Sequence, residues 1–376
     1  MIPRTPIRVL VVDDAVVIRK IVTGMLAEDP DIEVVGTAAN GSIALSRIET
    51  LKPDVITLDV EMPEMDGIQT LKEIRKRGLR LPVIMFSTLT ERGASATLDA
   101  LTYGASDYVT KPANVGSVGA ALNQIREQLI PKIKQFAGHG PALAPHRRPA
   151  PPAVTSRPEP APAPAPASAP RLGGMPLALA IGVSTGGPNA LAELLPTLPG
   201  SLPVPVLITQ HMPPVFTKLL ADRLNSQCAL SVKEAEEGDV LRAGCAYVAP
   251  GDFHMTVRRA GAQVIVSLTQ SPPEHSCRPA VDVMLRSIVR VYGASTLAVI
   301  LTGMGHDGLL ACQDVKRAGG QVLAQDEASS VVWGMPGMVV KAGVADRVLA
   351  LSEMGAEITR RLRMQPGSFR SGARAS

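Results

Sequence analysis

The stretch Ala180-Ile181-Gly182-Val183-Ser184-Thr185-Gly186-Gly187-Pro188 carries the reading of the fold. A short apolar run, Leu177 to Ile181, leads into it, and Asn189 to Leu195 has the pattern of an opening helix. Strand, tight turn and helix in that order form the repeating unit of an α/β sheet. Gly182-Val183-Ser184-Thr185-Gly186 also fits the nucleophile-elbow pattern, in which glycines allow close backbone approach and the serine oxygen projects above the sheet edge. The amides that follow such a serine point into the same space, where a negative oxygen can be held. Gly/Ser-rich turns of this kind also bind phosphates or simply turn the chain, so Ser184 enters as a candidate nucleophile in need of partners.

Outward from this turn, 376 residues leave room for two domains, each with its own core. Hydrophobic residues make up 45% and aromatics only 3%, with 33 prolines, which favours aliphatic α/β packing and a proline-rich linker over a β-sandwich. A formal charge of +4 gives no case for nucleic acid, and the late arginines (Arg360, Arg361, Arg363, Arg370, Arg374) read as a solvated helix end and a frayed tail. Cys228, Cys245, Cys277 and Cys312 lack C-x-x-C spacing and read as reduced, buried thiols. The apolar run Ile7 to Val12 ends at two aspartates and is too short for a signal or membrane segment, so a cytoplasmic protein without membrane insertion is expected.

The first 130 residues repeat the strand-helix unit five times. The expected pairs are Ile7 to Val12 with Ala15 to Glu28, Ile32 to Thr37 with Ser42 to Leu51, and Val55 to Leu58 with Ile68 to Lys76. Val83 to Phe86 with Ser95 to Leu101, and Tyr108 to Val109 with Val115 to Leu129, complete the set. Such alternation predicts a doubly wound parallel sheet. Polar residues fall at the carboxyl ends of its strands, where such sheets place their sites: Asp13 and Asp14, then Asp59, Ser87 and Lys111. Clustered carboxylates repel one another and call for a divalent cation, and an oxygen-rich site suits Mg²⁺.

Val-Asp-Asp, Leu-Asp-Val-Glu-Met-Pro-Glu-Met-Asp-Gly and Val-Thr-Lys-Pro resemble the receiver domain of two-component response regulators over roughly residues 5 to 130. The resemblance implies that Asp59 accepts phosphate and that Asp13 or Asp14, with the backbone of Glu61, holds Mg²⁺. It further implies that Ser87 and Lys111 contact the phosphoryl group and that Tyr108 is the mobile aromatic. Next comes a spacer, residues 131–174, whose core Pro158-Glu159-Pro160-Ala161-Pro162-Ala163-Pro164-Ala165-Pro166 can form neither helix nor ladder. An extended, semi-rigid linker is expected, with His139, His146, Arg147 and Arg148 solvated within it.

Residues 175–366 then form a second α/β domain with a mainly parallel sheet, followed by a tail, 367–376. A serine hydroxyl needs a base, and histidine suits neutral pH. His211 directly follows the strand Pro205 to Thr209, on the same sheet edge as Ser184. His254 opens a strand, and His275 lies in the loop Ser271 to Arg278. His306 sits beside Asp307 in the turn Thr302-Gly303-Met304-Gly305-His306-Asp307-Gly308, after the strand Leu297 to Leu301. Spacing leaves two readings open: a Ser184, His211, Asp307 triad, or His211 as a helix-entry residue and Asp307 as a turn or cap residue.

Ile-Gly-Val-Ser-Thr-Gly-Gly-Pro, Gln210-His211-Met212-Pro213, Val248-Ala249-Pro250-Gly251, Arg278-Pro279-Ala280-Val281-Asp282 and Leu-Thr-Gly-Met-Gly-x-Asp-Gly are together similar to the catalytic domain of the chemotaxis protein-glutamate methylesterases. That resemblance places the triad on Ser184, His211 and Asp307, with the amides of Thr185 and Met304 as oxyanion donors. It implies a phosphorylation-activated hydrolase that demethylates glutamate methyl esters on chemoreceptors, releasing methanol, and deamidates selected receptor glutamines. The implied partners are methyl-accepting chemoreceptors and a chemotaxis histidine kinase; Mg²⁺ serves the receiver and no cofactor serves the hydrolase step.

Overall fold

The computed structural model describes residues 5–111, 118–138 and 175–363. Positions 139–174 of the spacer, with His139, His146, Arg147 and Arg148, and the tail 367–376 lie outside the described residues.

The first domain runs β1 (Ile7–Val12), α1 (Val16–Ala27), β2 (Ile32–Ala38), α2 (Gly41–Leu51), β3 (Val55–Asp59), α3 (Gly67–Lys76), β4 (Val83–Ser87), α4 (Glu91–Thr102), β5 (Asp107–Thr110) and α5 (Val118–Gly138). Its parallel sheet has the order β2-β1-β3-β4-β5. Alternate residues of β1 serve opposite faces: Val9 and Val11 pack with Leu26, Leu129 and Ile133 of α1 and α5, whereas Leu10 and Val12 pack with Ile48, Leu71 and Leu98 of α2 to α4. The order reverses between β1 and β3, so the ends carrying Asp13 and Asp59 flank the switch point.

Two helices depart from expectation. α4 starts at Glu91 rather than Ser95, because the Thr90 hydroxyl accepts from the Gly93 amide at 3.0 Å and caps the helix. α5 continues past Pro131, where the helical pattern was expected to decay, to Gly138. Ile133 is buried on the same stripe as Ile125 and Leu129, and Lys132 and Lys134 reach Asp107, Asp29 and Asp31 at 2.8 to 2.9 Å. These contacts outweigh the one backbone hydrogen bond that proline forfeits.

The second domain runs β6 (Ala178–Val183), α6 (Gly187–Leu194), β7 (Val206–Gln210), α7 (Phe216–Gln227), β8 (Ser231–Glu234), β9 (Cys245–Val248), β10 (His254–Ala260), β11 (Gln263–Thr269) and α8 (Val281–Tyr292). It closes with β12 (Thr296–Ile300), α9 (Leu309–Arg317), β13 (Gln321–Gln325), α10 (Met335–Lys341), β14 (Arg347–Leu349) and α11 (Leu351–Arg363). Seven strands form one sheet in the order β14-β13-β12-β6-β7-β9-β8, each pairing parallel. β10 and β11 form a separate antiparallel hairpin, tied to α8 where the Val257 amide donates to Ser287 Oγ. Here the switch point lies between β6 and β12, with Ser184 beyond one strand and Asp307 beyond the other.

The two domains touch. One apolar cluster runs from Leu98, Leu101 and Tyr108 of the first into Leu191 and Phe216 of the second. Tyr108 stacks on Phe216 with ring centroids 4.9 Å apart and planes 5° from parallel. Arg223 of α7 donates to Asp99 and Thr102 of α4, each at 2.9 Å, and the Asn189 amide group donates to the Leu101 carbonyl at 2.9 Å.

Candidate active site

Strand register brings Ser184 and His211 together. Val183 pairs with Gln210 across β6 and β7, so the next residue on each strand emerges at the same edge, and the His211 amide donates to the Val183 carbonyl at 3.2 Å. The turn between β6 and α6 is crowded enough to require its glycines. A Cβ on Gly182 would meet Val281 at 2.4 Å, one on Gly187 would meet Gln210 Oε1 at 1.9 Å, and Gly186 has φ of 78°. Gln210, buried, donates from Nε2 to the carbonyls of Ser184 at 3.0 Å and His211 at 3.2 Å, pinning both to one side chain.

Asp307 arrives from the loop after β12 and is buried. Its Oδ2 lies 2.8 Å from His211 Nε2 and also accepts from the Val281 amide at 2.7 Å, while Oδ1 accepts from the Asp282 amide at 2.9 Å. Those two amides open α8, so the helix N-terminus favours the ionised carboxylate. Burial alone would raise the Asp307 pKa, but the bonds from His211 and from these amides hold it below the usual carboxylate range. For His211, burial lowers the pKa, and the Cys277 and Asp307 groups on either side of the ring outweigh it and raise the value to about 10.

With Asp307 on Nε2, the nitrogen left to accept a proton is Nδ1, which lies 3.5 Å from Cys277 Sγ. The Ser184 hydroxyl makes no hydrogen bond among the described residues. The loop bearing Met304 packs directly over Ser184: the Ser184 amide donates to the Thr302 carbonyl at 3.0 Å, and a Cβ on Gly303 would lie 2.8 Å from Ser184 Cβ. Thr302 Oγ1 donates to the Thr185 carbonyl at 2.9 Å, bracing the two loops. Among the described residues the backbone amides of Thr185 and Met304 have no acceptor.

The other sequence candidates scatter. His306 is exposed and meets His275 edge-on. His254 is buried, bonded to the Pro272 carbonyl and the Ala280 amide. Arg278 binds the Gln270 and Ser271 carbonyls and Asp252. Trp333 Nε1 donates to the Gln325 carbonyl.

In the first domain, Lys111 Nζ lies 2.8 Å from Asp59 Oδ2 and 2.9 Å from Asp13 Oδ2. Burial, with Asp13 alongside, raises the Asp59 pKa to about 6 against the opposing pull of Lys111 and the Glu61 amide. Oxygens of Asp13, Asp14 and Asp59 come within 4.8 Å of one another. Asp13 Oδ2, although near the Lys111 charge, is buried without a well-directed hydrogen bond. A buried carboxylate oxygen with spare lone pairs, in a three-carboxylate cluster, fits a hard divalent cation. Ser87 gives its proton to the carbonyls of Thr88 and Gly93, at 3.2 and 3.0 Å, and Tyr108 is buried against Phe216.

Sequence reasoning missed Gln210, Thr302, Cys277 and Asp107. The first two carried a signal, as polar residues at the ends of apolar strands beside His211 and Met304. Cys277 and Asp107 reach the site through long-range folding that no spacing encodes.

The family model described as CheB methylesterase matches residues 179–358, and the one described as response regulator receiver domain matches residues 9–123. A protein-glutamate methylesterase/protein-glutamine glutaminase of a Nocardioides strain is 55% identical over 370 residues, covering 98% of this chain and 99% of that one. One from Trichodesmium erythraeum is 52% identical over 356 residues, covering 94% and 99%. The crystal structure of the Thermotoga maritima CheB methylesterase catalytic domain is 43% identical, covers 49% of this chain and 98% of its own, and gives a TM-score of 0.49. A receiver joined to an α/β hydrolase domain defines a response regulator whose output is enzymatic. The chain belongs to the protein-glutamate methylesterase/protein-glutamine glutaminase family. Among the described residues no helix is long and apolar enough to cross a membrane.

Proposed function

We propose that this protein is a phosphorylation-activated serine hydrolase that removes methyl groups from glutamate esters of chemoreceptors and deamidates selected receptor glutamines. The observation that carries the reading is the 2.8 Å pairing of His211 with a buried, ionised Asp307, one strand away from Ser184. Ser184 attacks the ester or amide carbonyl while His211 Nδ1 takes its proton and Asp307 steadies the imidazolium formed. The amides of Thr185 and Met304, without another acceptor among the described residues, receive the oxyanion. His211 then gives its proton to the departing methoxy oxygen or amide nitrogen, which leaves as methanol or ammonia, and water, activated by the same nitrogen, releases glutamate from the acyl-serine.

Asp59 is the phosphoacceptor. Asp13, Asp14, Asp59 and the Glu61 backbone would hold Mg²⁺, which when bound neutralises charge between the carboxylate and the incoming phosphoryl group. Lys111 and Ser87 then close on the aspartyl phosphate, and Tyr108 shifts. The phosphodonor is a histidine kinase of the chemoreceptor pathway. Because β5 carries Tyr108 and Asp107 against the second domain, a shift there loosens the docked receiver and opens the serine turn.

Methanol release from methylated receptor membranes tests the reading, with wild type and Ser184→Ala each assayed with and without a small phosphodonor and Mg²⁺. Release by wild type alone, increased by the donor, is the expected result. No release by wild type under either condition overturns it.

A further inference from the structure

Cys277 ends a four-residue turn whose geometry is costly. Glu274 and Cys277 exchange both backbone hydrogen bonds, at 3.1 and 2.9 Å, around His275 and Ser276, which have φ of 53° and 61°. Two successive left-handed residues without a glycine are unfavourable, because each Cβ crowds the following carbonyl. The turn is held on both sides. His275 Nε2 pairs with the fully buried Asp282 at 2.9 Å, Arg286 grips both oxygens of Glu274, and Arg278 is fixed by Asp252 and two carbonyls. Strain persists only where the surroundings enforce it, and what this turn delivers is one thiol, 3.5 Å from His211 Nδ1.

We propose that Cys277 is a positioning residue for the hydrolysis, its sulfur meeting the base nitrogen of His211 and holding the imidazole ready until Ser184 engages it. The inference rests on the reading of His211 as the base. Asp307 fixes one ring nitrogen and Cys277 the other, so the ring is clamped edge to edge although the Ser184 hydroxyl does not touch it. The sulfur also strengthens the ring's hold on a proton. Among the groups packed one layer further out, Asp282 pairs with His275, Glu274 with Arg286 and Asp252 with Arg278, while His306 rests on the His275 ring. Asp307 and Cys277 are therefore the two groups set directly against the imidazole.

The test is the pH profile of kcat/KM for full-length wild type, Cys277→Ala and Cys277→Ser on a small methyl ester, with the Ser184→Ala rate subtracted. The acid limb of both variants is expected to move to lower pH, because the ring loses the partner on its base nitrogen. Serine, which keeps a hydrogen-bonding group, is expected to recover part of any plateau loss seen with alanine. An NMR titration of the His211 ring in the same proteins is expected to move with the kinetics. Coincident limbs and coincident ring titrations in all three would reduce Cys277 to packing and overturn the proposal. Undiminished turnover by Ser184→Ala would instead overturn the serine-hydrolase reading itself.

Discussion

The Thr185 hydroxyl donates to the Asp107 carboxylate across 3.1 Å, joining the residue after the candidate nucleophile to the first residue of the receiver's last strand. Asp107 is buried there and also paired with Lys132 at 2.8 Å, so the bond is charge-assisted and shielded from water. Replacing Thr185 with valine keeps the shape and removes the donor. A hydrogen bond to a charged partner contributes about 1.5–3 kcal/mol, so the closed state should lose roughly a factor of ten or more. The ratio of phosphorylated to resting esterase activity is expected to fall by that factor; an unchanged ratio would separate this contact from regulation.

Arg223→Ala removes a different class of contact. Its pairs with Asp99 and Thr102 are partly exposed, and such ion pairs contribute about 0–1 kcal/mol. Resting activity is expected to rise by no more than about fivefold, measured beside Thr185→Val. A larger effect from Arg223 would mean that α4, rather than β5, dominates docking.

Asp307→Asn keeps the two acceptors for the α8 amides only in part and gives His211 a neutral neighbour. Loss of about 10⁴ in kcat is expected from the analogous change in serine triads. Because Asp307 has a depressed pKa, its contribution to stability is present above the unfolded carboxylate pKa and is lost as pH falls through the lower folded value. Acid unfolding of wild type against the variant, followed by circular dichroism, checks the sign: the gap in stability should close toward low pH.

Asp59 has the opposite sign. Its folded pKa of about 6 lies above the unfolded value, so ionising it weakens the fold as pH rises between the two. Asp59→Asn is expected to be more stable than wild type at pH 7, by about 2–3 kcal/mol without Mg²⁺, with Asp13 still present to pair Lys111. Thermal melts at pH 4 and pH 7 would show the difference vanish at the lower pH. Added Mg²⁺ should stabilise wild type more than the variant.

Gly303→Ala places a methyl group 2.8 Å from Ser184 Cβ and 2.5 Å from Met335 Sδ. The thioether can yield, but the serine must shift, and catalytic geometry tolerates little displacement. A fall of about a hundredfold in kcat with a nearly unchanged melting temperature is expected. An equal loss in both would mark the glycine as purely structural.

Much of this was legible because α/β sheets put chemistry at strand ends. Asp13, Asp59, Lys111, Ser184 and His211 each lie at or just past the end of a buried strand, and the sheet orders set Asp13, Asp59 and Ser184 beside the two switch points. Asp307 lies several residues past its strand, which is why spacing alone left it as triad member or cap; in the fold it takes a histidine and two helix amides. The four cysteines were read as reduced, buried thiols, but only Cys312 is buried while Cys228, Cys245 and Cys277 are half-buried; the turn that aims Cys277 at the site depends on Asp282 and Arg286 in α8. The helix beyond Pro131 was hidden for a similar reason, since partners in the loop after α1 and on β5 hold it.

β5 has a four-residue span, Asp107–Thr110, with Lys111 immediately after it. At about 3.3 Å per residue, the stretch from Lys111 beside Asp59 back to Asp107 beside Thr185 spans little more than a nanometre, the distance over which the proposed signal would pass. A path that short does not depend on the length of the spacer. The strand itself is less tolerant: one inserted residue would swap its faces, detaching input and output at a stroke.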